Sequence, residues 1–484
     1  MTLWVLLALP ALLAVACALV PSPRAVLAVV ALGGIAVAGW SGFAVLAAFD
    51  APLVAWDGNL RMDALSAFHL AIVAIVFALA SLYARVYFAP AVASGHFGSA
   101  MARRFGAAWF AFLASMILVL VSGNIGLLWV AMETTTLASA LLVCLEFDAA
   151  SVRAAWTYLM ICSVGIAMAL LGTFLLAGEA RTVLGAGASP FLWTDLLDVA
   201  DRMRPGAVRL AFVFLLVGYG TKAGLAPMHA WLPDAHGQAP APVSAVLSGV
   251  LLNCALYAIS RFLPIVNAAT GGDGWTLLVP FGLLSLGVAA IHLLRERDMK
   301  RLLAYCSVEH IGIIALAIGL GAPAAALFHT LNHSLAKTVA FFAAGIVARD
   351  RGTRDTGRIG GLARIHPLAG AALLLALLAL VAMPPSATFQ SELWLARAGM
   401  AGGHWPAVVA FLLAVAVAFV GLLRPFLGMA WRAAPKDVAT VGAPRLLWPL
   451  TVLPLAALAI LGLWMPAALA TALSQAAAIL GVRP

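Results

Sequence analysis

The sequence predicts an all-α, polytopic transmembrane bundle of about fourteen helices, with two inverted five-helix repeats and breaks in helices seven and twelve. Three observations predict it. The 484 residues are 64% hydrophobic and only 10% charged, against about 45–50% and about 25% in a soluble domain. At roughly 20 residues per bilayer span, fourteen spans use about 280 residues and leave only short connectors, so no soluble catalytic domain fits. Finally, two apolar runs are interrupted by proline at comparable depth.

Apolar runs bounded by Gly, Pro or charge place the first seven helices near 2–20, 25–48, 63–88, 107–122, 124–145, 152–178 and 206–228. Seven more fall near 241–263, 274–294, 299–320, 322–348, 366–396, 404–430 and 446–464. The first run lacks a basic n-region and an AxA-like cleavage site, so it reads as a retained span. The longest polar connector, roughly 179–205, contains an amphipathic stretch from Phe191 to Met203, with Asp195, Asp198 and Asp201 on its polar side, expected to lie along the outer surface.

The 28 Lys and Arg against 19 Asp and Glu, +9 overall, fit basic cytoplasmic loops better than nucleic-acid binding. One alternating set of connectors holds sixteen basic residues, among them Arg103, Arg104, Arg295, Arg349 and Lys436; the other holds eight, including Arg61, Arg261 and Arg483. Both termini are therefore expected on the outer, periplasmic side of a bacterial cytoplasmic membrane. Cys17, Cys144, Cys162, Cys254 and Cys306 show no paired spacing, so neither iron–sulfur clusters nor zinc is supported.

The broken runs are GYGTKAGLAPMHAWLPD, with Pro227 and Pro233, and LVAMPPSATFQSELW, with Pro384 and Pro385. Proline removes a backbone donor, and the freed carbonyls must find water or protein. The breaks are five helices apart, an odd number, so a repeat of that length returns inverted, as in transporters that build a site from broken helices. This divides the chain into 1–105 (helices one to three), 106–263 (helices four to eight), 274–430 (helices nine to thirteen) and 431–484 (the C-terminal helix region). Two ordinary proline kinks are the plainer alternative.

Five charged residues sit well inside predicted spans: Glu133, Lys222, Glu309, Lys337 and Glu392. Each costs roughly 2.5–3.5 kcal/mol at a helix centre, so they must face one another or water. Burial disfavours a charged amine and a nearby carboxylate restores it; an amine whose carboxylate partner approaches or recedes is a proton switch. Glu133 with Lys222, and Lys337 with Glu392, are the candidate couples, against the alternative of static ion pairs that fix packing. His329 and His333 share a helix face at i, i+4, which suits metal, proton transfer or a hydrogen bond to a neighbouring helix; no third ligand is evident, and no metal is assigned. His310 follows Glu309 directly, so the two are expected on different faces. His229, Asp234 and His236 lie in the WLPDAH region, near a proposed site of proton uptake or simply tying down the bend.

The run KAGLAPMHAWLPDAHGQAPAPVSAVLSGVLLNCALYAISRF resembles the signature region of the proton-conducting, antiporter-like membrane subunits shared by complex I, Mrp sodium/proton antiporters and group 4 membrane hydrogenases. RDMKRLLAYCSVEHIGIIALAIG is similar to that family's DxKRLLAYSSxxxxG segment, and WVAMETTTLASALLV, SVGIAMALLGTFLL and LNHSLAKTVAFF look most like hydrogenase-4 component F. The resemblance spans roughly residues 60–430. It implies that Glu133 modulates Lys222 and that protons pass through the eighth helix to Lys337 with His333 and on to Glu392. Where the family's M-type subunits carry a lysine on the eighth helix, this chain has Asn253, which cannot titrate but can hold water. The chain ends soon after the fourteenth helix, without room for the long lateral helix of L-type subunits. The implied function is a proton-translocating subunit driven by electron transfer in partner membrane and redox subunits, hydrogenase-like or NADH-dehydrogenase-like, with no cofactor of its own. A sodium/proton exchanger of Mrp type, a proton-channel partner of inorganic-carbon uptake, and a structural or quinone-contacting subunit are the alternatives.

Overall fold

A computed structural model describes residues 1–433 and 444–481; Lys436 and Arg483 lie outside them. Among the described residues, twelve helices are long and apolar enough to cross a membrane, and a bent C-terminal pair makes thirteen. The remaining expected span is the broken twelfth. The protein is a multi-pass membrane protein.

In chain order the elements are α1 (Thr2–Leu19), α2 (Pro23–Asp50), β1 (Leu53–Ala55), β2 (Leu60–Met62), α3 (Ala64–Ala93), α4 (Ser99–Val121), α5 (Ile125–Val143) and α6 (Ala149–Ala180). After them come α7 (Trp193–Asp198), α8 (Pro205–Ala223), α9 (Leu232–Gln238), α10 (Ala241–Val246) and α11 (Leu252–Thr270). The second half contains α12 (Asp273–Leu293), α13 (Met299–Gly319), α14 (Pro323–Arg351), α15 (Leu362–Ile365), α16 (Pro367–Leu380), α17 (Ala387–Ala401), α18 (Trp405–Trp431), α19 (Leu447–Leu463) and α20 (Ala467–Ile479). Several spans begin or end beyond their apolar runs. α4 takes in Arg103 and Arg104, and α14 takes in Arg349 and Arg351, because long basic side chains at helix ends reach the polar boundary.

Two features escaped the sequence reading. The connector after α2 is an antiparallel hairpin pairing Leu53 with Met62, closed by Trp56, Asp57 and Gly58 in the left-handed region. At the other end α20 turns back at 82° to α19 and buries Leu473, Ala476 and Ala477.

Connectors expected on the basic side do meet on one face. Arg301 pairs with Asp234 and Glu296, Arg354 pairs with Asp298 and donates to the Gly237 carbonyl, and Arg432 donates to the Thr356 and Gly357 carbonyls. The other connector set is tied by a buried ion pair. Arg261 on α11 donates from Nη1 and Nη2 to both Asp63 carboxylate oxygens at 2.6 Å, from Nη2 to Ser66 Oγ at 2.6 Å and from Nε to Tyr257 OH at 2.8 Å. The amphipathic connector packs here, with Trp193 Nε1 donating to the Arg261 carbonyl at 2.6 Å.

Burial alone would raise the Asp63 carboxyl, but Arg261 and the Ser66 amide outweigh it and hold the group below the usual carboxylate range. A lowered folded-state value means that this stabilisation is present above the unfolded-state value and is lost as pH falls through the folded one. Asp63→Ala leaves the guanidinium uncompensated and is expected to cost about 3–5 kcal/mol. Asp63→Ala/Arg261→Met should cost less, both read from unfolding in detergent.

Candidate functional site: a buried line of polar side chains

The central helices carry the site because they have no lipid-facing side. Every residue from Ala241 to Leu263 is buried, as is every residue from Leu302 to Gly319, and α14 is buried over most of its length. A polar side chain on these helices must therefore find its partner inside the protein.

The first cluster forms where α8 stops. Gly224 sits at φ 77°, a left-handed cap that glycine adopts without a Cβ clash, and Pro227 follows. The stop leaves Lys222 in the last turn, fully buried, with Nζ donating to Thr136 Oγ1 at 2.8 Å and Tyr158 OH at 2.5 Å. Tyr158 is joined to Ser139 Oγ at 2.7 Å, and its ring packs on Trp231, whose Nε1 donates to the Thr221 carbonyl at 2.8 Å. Glu133 is not bonded to Lys222. Its Oε1 accepts from Ser163 Oγ at 2.8 Å and its Oε2 has no hydrogen bond. The expected couple is thus an amine held by hydroxyls, with its carboxylate within electrostatic range but out of contact.

The middle of the line depends on a π-helical turn, Leu247–Leu251, between α10 and α11. Such a turn breaks the regular ladder and is common at functional sites. α14 approaches it with side chains. Ser334 Oγ donates to the Gly249 carbonyl at 2.6 Å, and His333 Nε2 lies 3.2 Å from the Ser248 carbonyl. Asn253 Nδ2 donates to the same Gly249 carbonyl at 2.7 Å and to Ser334 Oγ at 2.9 Å, leaving Oδ1 without a partner. Ser248 and Ser307 hydroxyls meet at 2.7 Å and join the turn to α13. Asn253 therefore bridges α11 and α14 and interrupts nothing by steric bulk.

The third cluster lies between α13, α14 and α17. Lys337 Nζ donates to the Leu303 carbonyl at 2.7 Å and lies within electrostatic range of Glu309. Glu392 has Glu309 as its charged neighbour, and the expected Lys337–Glu392 couple is not closed into an ion pair, since Lys337 Nζ is taken by the Leu303 carbonyl. His310 makes no hydrogen bond with Glu309 but is not remote from it. Neighbouring residues do diverge around a helix, yet α13 has protein on every side, and a His310 ring nitrogen comes within 4.8 Å of a Glu309 carboxylate oxygen. His310 Nδ1 is 2.8 Å from His329 Nε2, and His329 Nδ1 is 2.9 Å from Ser391 Oγ, next to Glu392. His333 stands 4.9 Å from the His310 ring, centroid to centroid.

The second broken helix resembles the first in design. α16 ends at Leu380, Ala382 takes φ 53°, and Ser386 caps α17 by accepting from the Phe389 amide. A Cβ on Gly462 would lie 1.8 Å from the Pro385 carbonyl oxygen, so only glycine lets α19 approach the break. There Gln390 Nε2 donates to the Gly462 carbonyl at 3.1 Å.

The loop residues separate. His229 faces the His292 and Tyr305 rings, Asp234 pairs with Arg301, and His236 stacks on Phe341 with neither ring nitrogen hydrogen-bonded. His236 is within electrostatic range of both Lys300 and Lys337. Lys300 donates to the Gly237 and Ala239 carbonyls and lines a polar depression of about 300 Å³ with Glu146 and Asp148 on the basic face. The linking residues Tyr158, Thr136, Ser139, Ser163, Ser248, Ser307, Ser334 and Ser391 were not singled out from the sequence, and His310 was noted there without a partner. The clustered hydroxyls of METTTLAS were the only local signal.

The sequence profile described as NADH:quinone oxidoreductase/Mrp antiporter, TM matches residues 122–418, more than half of the chain. The chain belongs to this family. The match encloses all three clusters of the site. A hydrogenase-4 component F homolog of Methylacidiphilum infernorum is 42% identical over 316 residues, covering 64% of this chain and 66% of that protein. The matched regions span about half to two thirds of the length of the curated relatives. In fold, the chain is similar to a subunit of an archaeal membrane-bound sulfane sulfur reductase, with TM-score 0.86, 23% identity and coverage of 99% of this chain and 97% of that one. It is likewise similar to a chain of the Mrp complex of Dietzia sp., with TM-score 0.81, 22% identity and the same coverage. As a family member, the chain has this all-helical antiporter-like architecture throughout.

The contact geometry of the first cluster is open to a double-mutant cycle. Lys222→Met with Tyr158→Phe should couple by roughly 1.5–3 kcal/mol, the range for a hydrogen bond to a charged group. Lys222→Met with Glu133→Gln should couple by less than about 0.5 kcal/mol in unfolding, as expected without direct contact; the reverse order would put the carboxylate against the amine.

Proposed function

We propose that this chain is the proton-translocating, antiporter-like membrane subunit of a respiratory or hydrogenase-type complex in a bacterial cytoplasmic membrane, moving protons as partner subunits transfer electrons. The observation that carries the reading is Lys222. A fully buried amine bonded to two hydroxyls, with Glu133 nearby but not touching, has a charge state that responds to small movements of that carboxylate. A static ion pair would close the contact instead.

From Lys222 the proposed route crosses the Asn253–Ser334 bridge and reaches Lys337, Glu309, His310, His329 and His333, with Glu392 beyond Ser391. Ordered water would complete the gaps, which suits the unpartnered Asn253 Oδ1 and Glu392 Oε1. Uptake would begin at the depression lined by Lys300, with His236 between it and Lys337. Residues 106–263 and 274–430 form the two inverted repeats in this reading, which aligns Glu133 on α5 with Glu309 on α13, and Lys222 on the first broken helix with Glu392 on the second. The gathered basic connectors favour a cytoplasmic position for that face and periplasmic termini. Membrane partners and peripheral hydrogenase-like or NADH-dehydrogenase-like redox subunits would supply the drive.

Sodium/proton exchange of Mrp type is the second reading, favoured by a family description that covers both activities. Lys222→Ala should abolish proton movement by the assembled complex in vesicles carrying a pH-sensitive dye, without loss of assembly. Unaltered pumping by that variant would contradict the proposed role, and proton movement that requires sodium would favour exchange.

A further inference from the structure

Cys306 separates this chain from the segment it resembles. In DxKRLLAYSSxxxxG the position after tyrosine is serine; here the run reads DMKRLLAYCS. One helical turn on are Glu309 and His310. The Cys306 Sγ, a Glu309 carboxylate oxygen and a His310 ring nitrogen all lie within 4.8 Å of one another. Cys306 and His310 are fully buried and Glu309 is 3% exposed. Two of their polar atoms, Glu309 Oε2 and His310 Nε2, make no hydrogen bond, although the Leu380 carbonyl faces the His310 ring. Unpaired polar atoms in so dry a place call for a ligand.

The surroundings fit one chemistry. If His310 Nδ1–H donates to His329 Nε2 and His329 Nδ1–H donates to Ser391, the distances of 2.8 and 2.9 Å are satisfied. In that tautomer His310 Nε2 carries the lone pair. An outer hydrogen bond that fixes the tautomer in this way is the usual support of a metal-bound histidine. One sulfur, one nitrogen and one carboxylate oxygen suit Zn²⁺ and similar borderline-soft divalent ions, and thiolate with imidazole argues against Mg²⁺ or Ca²⁺. Three protein ligands leave a fourth position, for which His333 is a protein candidate, its Nδ1 buried without a hydrogen bond and its ring 4.9 Å from that of His310, centroid to centroid.

We propose that Cys306, Glu309 and His310 form a binding site for a divalent metal ion of the Zn²⁺ class. Binding takes the thiolate, the carboxylate and the neutral imidazole, so the Cys306 proton, together with the Glu309 proton when that carboxyl carries one, is released as the Sγ–metal and O–metal bonds form. Thiolate and carboxylate together balance the two positive charges, and a neutral cluster is the form that a low-dielectric interior tolerates. Lys337 is the charged neighbour of both anionic ligands. A filled site removes Glu309 from its other neighbours. The consequence, a block between the two halves of the route, rests on the proton-transfer reading; the binding itself does not.

Co²⁺ is the probe, because a cobalt–thiolate bond gives a near-ultraviolet charge-transfer band that carboxylate and imidazole alone do not. In the purified full chain or its complex, one Co²⁺ per chain should give this band, and Zn²⁺ should displace it. Cys306→Ser, which installs the serine of the family segment, should remove the band; Cys254→Ser should keep it. Glu309→Gln should retain the band with binding weakened about tenfold or more. Absence of the band in the wild type, its survival in Cys306→Ser, or undiminished affinity in Glu309→Gln would each overturn the assignment. In dye-loaded vesicles, Zn²⁺ should inhibit the wild type and spare Cys306→Ser. If the complex moves no protons at all, the functional reading fails while the cobalt spectrum still decides the site.

Discussion

A polar side chain inside a bilayer-spanning bundle has no bulk water to fall back on. Each charged group placed at a helix centre carries a cost of roughly 2.5–3.5 kcal/mol, and five of them in one chain are retained only where surrounding groups offset it. The structure meets this constraint in a particular way. Lys222 is surrounded by hydroxyls, Lys337 takes a carbonyl from α13, and Glu133 takes a serine. None of the three is closed into a direct ion pair. Hydrogen bonds that solvate a charge without neutralising it leave its protonation sensitive to more distant charges, which is the property a relay requires.

Backbone irregularity supplies the rest. A regular helix consumes its own carbonyls, so a span can bind side chains from its neighbours only where the ladder is disturbed. The π turn at Leu247–Leu251 offers the Ser248 and Gly249 carbonyls to α14, and the two proline-containing breaks bring Lys222 and Glu392 to helix ends beside the central helices. At the π turn the disturbed backbone faces protein on every side, as the absence of water demands, whereas Pro227 and Met383, Pro384 and Pro385 at the two breaks are exposed on the bundle. The close approach at Gly462 seals the second break against α19.

The same packing creates the crowded corner at Cys306. Because α13 is enclosed on all sides, side chains that diverge around it still end in shared polar space, and His310 becomes the meeting point of α13, α14 and α17 through His329 and Ser391. A cluster of this kind serves proton transfer when it holds water and would be occupied by a metal ion when a thiol stands beside it.

Composition and apolar run length were enough to establish a membrane bundle, since no other environment accepts so few charges, and Pro227 and Pro384 marked the breaks because a missing amide cannot be hidden in a helix. The intramembrane charges were legible for the same reason: each is an energetic anomaly visible in one dimension. Their partners were not. Glu133 and Lys222 read as a couple, yet a side chain's neighbours depend on helix rotation and crossing, which no local run encodes. The nearness of Lys337 to Glu309, the place of His310, the π turn and the return of α20 are all decided by which faces meet. Hydroxyls such as Tyr158 and Ser391 carry no burial anomaly and acquire a role only from what lies opposite. Sequence thus determined which residues lipid would not accept; only tertiary packing decided what each of them touches, because contact distance is a property of several helices at once.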